Sequence, residues 1–285
     1  MKAYRETHIR QAEIAQLILL HQLYAQKESR HLIFQGGTAI RWCYGGSRFS
    51  EDLDFVTTLA PEAVELLVSK ALRGAEKLMV PHFGAGAVTL VPKKSRGDAF
   101  KCFVDFQPQS LRGKISIKLE FEALTPGMLP DTQNHVMASL GSVAYLIAAG
   151  EFRVPRPNTV FVAQTTQEIL SDKIRALLER SYLKGRDFFD LWHLRDVLKT
   201  ALDINIVQRK FTLYRAGFSA ARPVAFFTKP TKQNEKQMRE AIEQDLSRFL
   251  PPGVLDVHRT QKFAALLTTT RSVFAELQSK GVRLP

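Results

Sequence analysis

One stretch constrains this chain more than any other: a short strand, two glycines, a helix, and then a second strand that opens on two carboxylates. His31-Leu32-Ile33-Phe34-Gln35 reads as the first strand and ends in Gly36-Gly37. Thr38 to Tyr44 reads as a short helix and Gly45-Gly46-Ser47 as a turn. Asp52-Leu53-Asp54 leads a strand that runs to Thr57. Two glycines let the backbone approach a ligand closely, and the helix behind them offers unpaired N–H groups. That is a phosphate site in outline, although a tight turn needs the same residues. Asp52 and Asp54 project from the same face of a strand. Side by side they repel each other unless a cation or proton lies between them. Magnesium suits such a pair, because it takes few protein carboxylates and completes its shell with water and phosphate oxygens. A solvated strand start would carry the same residues.

The flanking pattern extends this into a mixed sheet. Residues 8–28 read as a helix, with Ile14, Leu17, Ile18, Tyr24 and Ala25 on one face and His21 filling the gap. Pro61 opens an amphipathic helix over 61–79. Residues 87–91, 100–106 and 115–121 carry β-favouring residues between loops marked by Pro92, Gly97, Pro108 and Gly113. After the first helix the order is β-α-β-α-βββ, which predicts helices packed on a mixed sheet. Lys118, Glu120 and Glu122 alternate on one face of the last strand. Glu120 lies inside that strand and is the preferred third acid beside Asp52 and Asp54; a plain solvent face on an edge strand is the alternative.

Residues 126–164 are loop-rich, with Val160-Phe161-Val162 as one strand-like piece. From Thr165 the pattern turns helical. Thr165-Thr166-Gln167-Glu168 is a capping-box signature for a helix to about Tyr182. Further helices are expected from Gly185 to about Thr200 and over 203–213, 231–250 and 258–280. The expected fold is α/β (α+β) and bilobed: a mixed-sheet domain over 1–160 and a helical domain over 161–285.

Phe34-Gln35-Gly36-Gly37-Thr38-Ala39-Ile40-Arg41, followed by Arg48-Phe49-Ser50-Glu51-Asp52-Leu53-Asp54-Phe55, resembles the AbiEii/AbiGii-type nucleotidyltransferase toxins of the DNA polymerase β-like superfamily. Ile169-Leu170-Ser171-Asp172-Lys173-Ile174-Arg175-Ala176-Leu177 and then Arg186-Asp187-Phe188-Phe189-Asp190-Leu191 resemble the same family. The motifs span residues 33–194 in the expected order. The resemblance implies a magnesium-dependent transfer of nucleotides from an NTP to RNA, in several members the tRNA 3′ end, and so a block on translation. It implies a toxin of a toxin–antitoxin or abortive-infection (phage-defence) system, with a cognate antitoxin as partner. By motif position Asp52 and Asp54 would ligate the metal, and Lys118-Leu119-Glu120 would match a Lys-x-acid motif with Glu120 as third ligand. Gly36, Gly37, Thr38 and Ser50 would border the triphosphate. Lys173 would contact nucleotide phosphates, Asp187 would be an essential acid, and Asp190 would join the nucleotide site. The chain departs from the family at Gln35, where members often have lysine, and at Glu120, where some have aspartate. Residues 200–285 match no motif of the family.

The second motif also has a reading from the residues alone. Leu170, Ile174, Leu177 and Leu178 form the core stripe of its helix, with Asp172, Arg175 and Glu179 facing away. Lys173 lies on the border of the stripe, where it could reach across a cleft or snorkel into water. Asp187 and Asp190 share a stripe with Leu191, Leu194 and Leu198, so they need partners. Lys173, Arg180 or Arg186 could supply them as a structural ion pair between two helices.

Composition adds the partner class. The net charge of +12 favours a polyanion such as nucleic acid. Arg41 and Arg48 could bind phosphate or pair with Glu51. Lys93, Lys94 and Arg96, and Lys229, Lys232 and Lys236, could contact RNA or form solvated faces. No apolar run is long enough to span a bilayer, and no signal peptide is evident, so the expected location is the cytoplasm. Cys43 and Cys102 are expected as free thiols there, and the seven histidines form no metal-ligating pair.

Overall fold

The computed structural model describes residues 4–95, 99–109, 113–282 and 284; Arg96, one of the basic residues singled out above, lies outside them. The chain divides into two compact units. One comprises Arg5–Gly45 and Ser50–Gln164, and the other Gly46–Phe49 together with the chain from Thr165 onward. The loop between the two glycine-rich turns and the aspartate strand thus contributes Gly46–Phe49 to the helical unit, which a single cut near residue 160 does not anticipate.

The first unit runs α1 (Glu6–Tyr24), a 3-10 turn (Lys27–His31), β1 (Leu32–Gln35), α2 (Gly36–Cys43), β2 (Leu53–Thr57), α3 (Pro61–Phe83), β3 (Gly86–Lys93), β4 (Phe100–Pro108), β5 (Ile115–Ala123), β6 (Thr132–Val136), α4 (Gly141–Ala148) and β7 (Val160–Gln164). Among the described residues these strands form one seven-stranded sheet in the order β3-β4-β5-β2-β1-β7-β6. The β2/β5 and β1/β7 pairs are parallel and the others antiparallel. Burial alternates strictly along β5: Ile115, Ile117, Leu119 and Phe121 are buried and the residues between them are not. That face meets α1, and α3 packs on α1, β3 and β4. α3 buries Val64, Leu67, Val68, Ala71, Ala75 and Met79, a three-to-four spacing that lays one stripe on the sheet.

Two elements differ from the expectation. The helix after the glycines starts at Gly36 itself, so both glycines form its first turn rather than a loop before it. The stretch 126–164 holds β6 and α4. β6 is polar (Thr-Gln-Asn-His-Val) and forms an exposed sheet edge, so no apolar alternation marks it.

The helical unit contains α5 (Thr166–Glu179), α6 (Gly185–Trp192) continued by a π-helical turn (His193–Val197), α7 (Ile204–Lys210), α8 (Ala225–Thr228), α9 (Lys232–Phe249), α10 (Pro252–Thr260) and α11 (Ala264–Ser279). The cap of α5 is as expected: the Thr165 side chain accepts a hydrogen bond from the Glu168 N–H. The span read as one helix over 258–280 is two, broken where Lys262 and Phe263 adopt left-handed φ values of 51° and 57°. The face of α5 read as outward is covered. Asp172 accepts from Lys210 at 2.7 Å and from the Tyr214 hydroxyl at 2.5 Å, and Arg175 lies 4.2 Å from the Tyr214 ring centroid. A helical wheel has no means of showing that a second helix, here α7, lies over a polar face. Among the described residues no helix is long and apolar enough to cross a membrane. Cys43 and Cys102 are free thiols.

Candidate active site

Sheet register assembles the acidic part of the site. Asp54 on β2 stands opposite Gln35 on β1 and Glu120 on β5. Glu120 in turn stands opposite Lys101 on β4, and Lys101 opposite Lys93 on β3. Directly paired residues share a face, so a polar row crosses five strands with its carboxylates at the centre and its lysines toward one edge. Asp52 precedes this row at the mouth of β2. Glu120, expected as the third metal ligand, forms ion pairs with Lys101 at 2.9 Å and with Lys118. Glu122 lies one register step beyond, opposite Val56. Among the described residues no three His, Cys, Asp or Glu side chains converge as a ready metal cage. Glu120, the expected third acid beside Asp52 and Asp54, is engaged here by lysines of its own and the neighbouring strand.

The glycine turn is fitted to Asp54. Gly36 has φ +78°, and a Cβ added to it would lie 2.7 Å from Asp54 Oδ2. The carboxylate thus sits hard against the first residue of α2, where the helix dipole favours negative charge. Gly36→Ala is expected to cost at least about 1 kcal/mol of stability from the backbone conformation alone. It should also displace the Asp54 carboxylate and lower nucleotide incorporation. Denaturant midpoints and incorporation assays measure the two effects separately.

Other expected residues serve the geometry. Thr38 is fully buried, and its hydroxyl donates to the Asp52 backbone carbonyl. Ser50 contributes its backbone carbonyl, which accepts from Gln16 Nε2 at 2.7 Å; Gln16 also donates to the Glu51 carbonyl at 3.1 Å. Gln35 accepts from the Gln164 amide at 3.0 Å. Gln16 is a positioning contact that the sequence reading does not single out. It is fully buried in α1 and pins the chain that enters β2. A lone amide inside the apolar run Ile14 to Leu20 was its signal.

The helical unit carries a separate buried cluster. Lys173 lies 3.1 Å from Asp187 Oδ1 and 2.8 Å from Asp190 Oδ2. Arg180 pairs with Asp187. Arg48, from the Gly46–Phe49 segment, grips Asp190 with two parallel bonds of 2.5 and 2.6 Å and donates to the Phe49 carbonyl at 2.9 Å. Asp187 and Asp190 are each 1% exposed. Burial by itself would raise their pKa values, but the surrounding cations outweigh it: Arg180 and Lys173 hold Asp187 well below the usual carboxylate range, and Arg48 and Lys173 lower Asp190. The expected ion pair between two helices is thus present through Lys173 and Arg180, while Arg186 turns to Asp245. Arg48 is the partner that sequence reasoning had placed with phosphate or Glu51, and Arg41 pairs with Glu13 at 2.8 Å.

The whole chain resembles solved folds. It matches JHP933 from Helicobacter pylori with a TM-score of 0.56 and 16% identity, covering 98% of this chain and 96% of that one. It matches a candidate nucleotidyltransferase from H. pylori with a TM-score of 0.56 and 15% identity, covering 98% of this chain and all of that one. No curated protein sequence matches it. The model of the AbiEii family, described as a nucleotidyl transferase toxin of type IV toxin–antitoxin systems, matches residues 17–269. That span contains the Asp52/Asp54 pair, Gly36 and the Lys173 cluster, and the chain belongs to the AbiEii nucleotidyltransferase toxin family.

Proposed function

We propose that this nucleotidyltransferase moves nucleotides from an NTP to RNA, with the tRNA 3′ end as acceptor, in a magnesium-dependent reaction in the cytoplasm that blocks translation. The observation that carries the chemistry is Asp54, seated against Gly36, in register with Glu120, and two residues after Asp52. Hard carboxylate oxygens in a pair fit magnesium. Asp52 and Asp54 would hold the ion, and Glu120 would join them on release from Lys101 and Lys118. Bound there, magnesium supplies Lewis-acid stabilisation of charge on the α-phosphate and lowers the pKa of an acceptor hydroxyl.

The chain's own residues do the rest. Thr38 and Gln16 fix the backbone that presents Asp52. The first turn of α2, with Gly36 and Gly37, offers N–H groups to phosphate oxygens, and Ser50 borders them. Lys173, which lies between Asp187 and Asp190, would contact the nucleotide phosphates, as the family motif implies. The net charge of +12 supports a polyanionic acceptor. Membership of a toxin–antitoxin family supports a cognate antitoxin.

The test is incubation of the protein and total RNA with each labelled NTP in turn. Label is expected in tRNA, only with magnesium, and not with Asp52→Ala or Asp54→Ala. Labelled protein with unlabelled RNA would sink the RNA reading and move the acceptor to a protein hydroxyl.

A further inference from the structure

The sheet has two edges, and they are built differently. β3 closes one of them, with Pro92 and Lys93 near its end. Proline removes a donor from the outer row, and lysines on two copies repel each other, so this edge resists further pairing. β6 closes the other edge with Thr132-Gln133-Asn134-His135-Val136, which holds neither proline nor charge. Four of these five residues are exposed, and only His135 is half-buried, its ring centroid 5.1 Å from that of Tyr44. Successive residues of a strand point to opposite faces, so neither face of β6 is buried within the chain. Its outer row of N–H and C=O groups faces away from β7, its one neighbour in the sheet.

The chain around β6 continues this surface. Residues 132–150 contain no Asp, Glu, Lys or Arg, the longest such stretch in a sequence that carries 40 basic and 28 acidic residues. Most of the stretch is exposed. Val136 is 41% exposed, and Val160, its register partner on β7 and so its neighbour on the same face, is 45% exposed. α4 follows β6 through a 3-10 turn (Met137–Ser139) and leaves Tyr145 64% exposed. Apolar groups gathered on an uncharged surface mark a contact site.

Charge decides what covers it. The net charge is +12, so copies of the chain repel wherever their basic surfaces meet, and a stretch without charge is where that repulsion is least. An acidic partner would be drawn to lysines and arginines, which this stretch lacks. The β6 sequence is also compatible with itself. Paired antiparallel about Asn134, Thr132 stands opposite Val136 of the second copy, Gln133 opposite His135, and Asn134 opposite Asn134, so no like charges meet. We propose that β6 pairs with β6 of a second copy of this chain in that register, a two-fold contact in which the two sheets run on as one with Val136 inside the joint. The contact is independent of the transfer reaction and of its acceptor.

Sedimentation velocity on the full-length protein, over about a hundredfold range of concentration, tests it. Wild type should pass from monomer to dimer across that range. Asn134→Lys and Asn134→Asp each set like charges opposite one another across the two-fold axis and should weaken the dimer about fivefold or more. An equimolar mixture of the two variants should dimerise at least as well as wild type, because opposite charges then meet at that position. Val136→Lys should weaken the dimer too, whereas Thr89→Lys, on the other edge strand, should leave it unchanged. Asn134 is exposed, so the variants should keep the wild-type melting temperature, which checks that they are folded. Wild type that stays monomeric over the whole range overturns the proposal, as does a dimer unmoved by the Asn134 variants or a mixture that fails to restore it.

Discussion

Asp54→Asn is expected to lower nucleotide incorporation by about a thousandfold or more, with the melting temperature within about 2 °C of wild type. The size of the first effect follows from what a metal-ligating carboxylate does. Charge stabilisation by the ion is worth several kcal/mol, and about 4 kcal/mol is a factor of about a thousand in rate. The small second effect follows from the surroundings. Asp54 has Asp52 two residues before it and Glu120 opposite it in the neighbouring strand. Replacing one of three neighbouring acids with an isosteric amide removes repulsion and leaves no cavity. Glu120→Gln provides the graded control. Its carboxylate already has Lys101 and Lys118 as partners, so its loss should cost about tenfold rather than a thousandfold. Incorporation of labelled NTP gives the first number and thermal denaturation the second. An Asp54→Asn protein that keeps its full rate would remove the aspartate pair from the chemistry.

How far the sequence carries depends on what each residue interacts with. The β1-α2-β2 unit was legible because its signals are local: a strand bounded by glycines and a second strand opened by acids. The pairing of Asp54 with Glu120 was legible in part, since alternation along β5 chose a face but not a register. Lys101 was not legible. It reaches Glu120 only because β4 pairs antiparallel with β5, and sheet neighbours are set by tertiary contacts. Gln16 and Arg48 failed for the same reason. Gln16 acts on backbone 34 residues away, and Arg48 on a carboxylate 142 residues away. β6, missed over 126–164, failed for a different reason: it is an exposed edge, so burial imposes no apolar pattern on it. Arg175, read as solvent-facing, is buried because α7 and the residues that follow it cover a polar face, with Lys210 on Asp172 and the Tyr214 ring against Arg175.

Asp190→Leu is expected to destabilise the protein by about 3–5 kcal/mol, the largest stability effect among the substitutions considered. The reason is what it leaves behind. Arg48 is 3% exposed and has Asp190 as its bidentate partner; without that carboxylate a guanidinium stays buried with only the Phe49 carbonyl to accept from it. Lys173 keeps Asp187, and Arg180 keeps the same acid, so the excess positive charge falls on the helical core. Arg48→Met should cost less, because Asp190 retains Lys173 at 2.8 Å. Arg48→Met combined with Asp190→Leu should recover most of the loss, since an apolar pair of similar volume often matches a buried ion pair. Acid gives an independent check of sign. The folded Asp190 carboxyl sits below its ordinary value, so its contribution is complete above the unfolded pKa of about 3.9 and is lost as pH falls through the folded value. The gap in stability between wild type and Asp190→Asn should therefore be flat from about pH 8 to pH 5 and narrow below about pH 4. Urea denaturation across that range measures it. A gap that grows as the solution is acidified would mean that folding raises the Asp190 pKa instead of lowering it, and that the Arg48 and Lys173 cations do not hold this carboxylate.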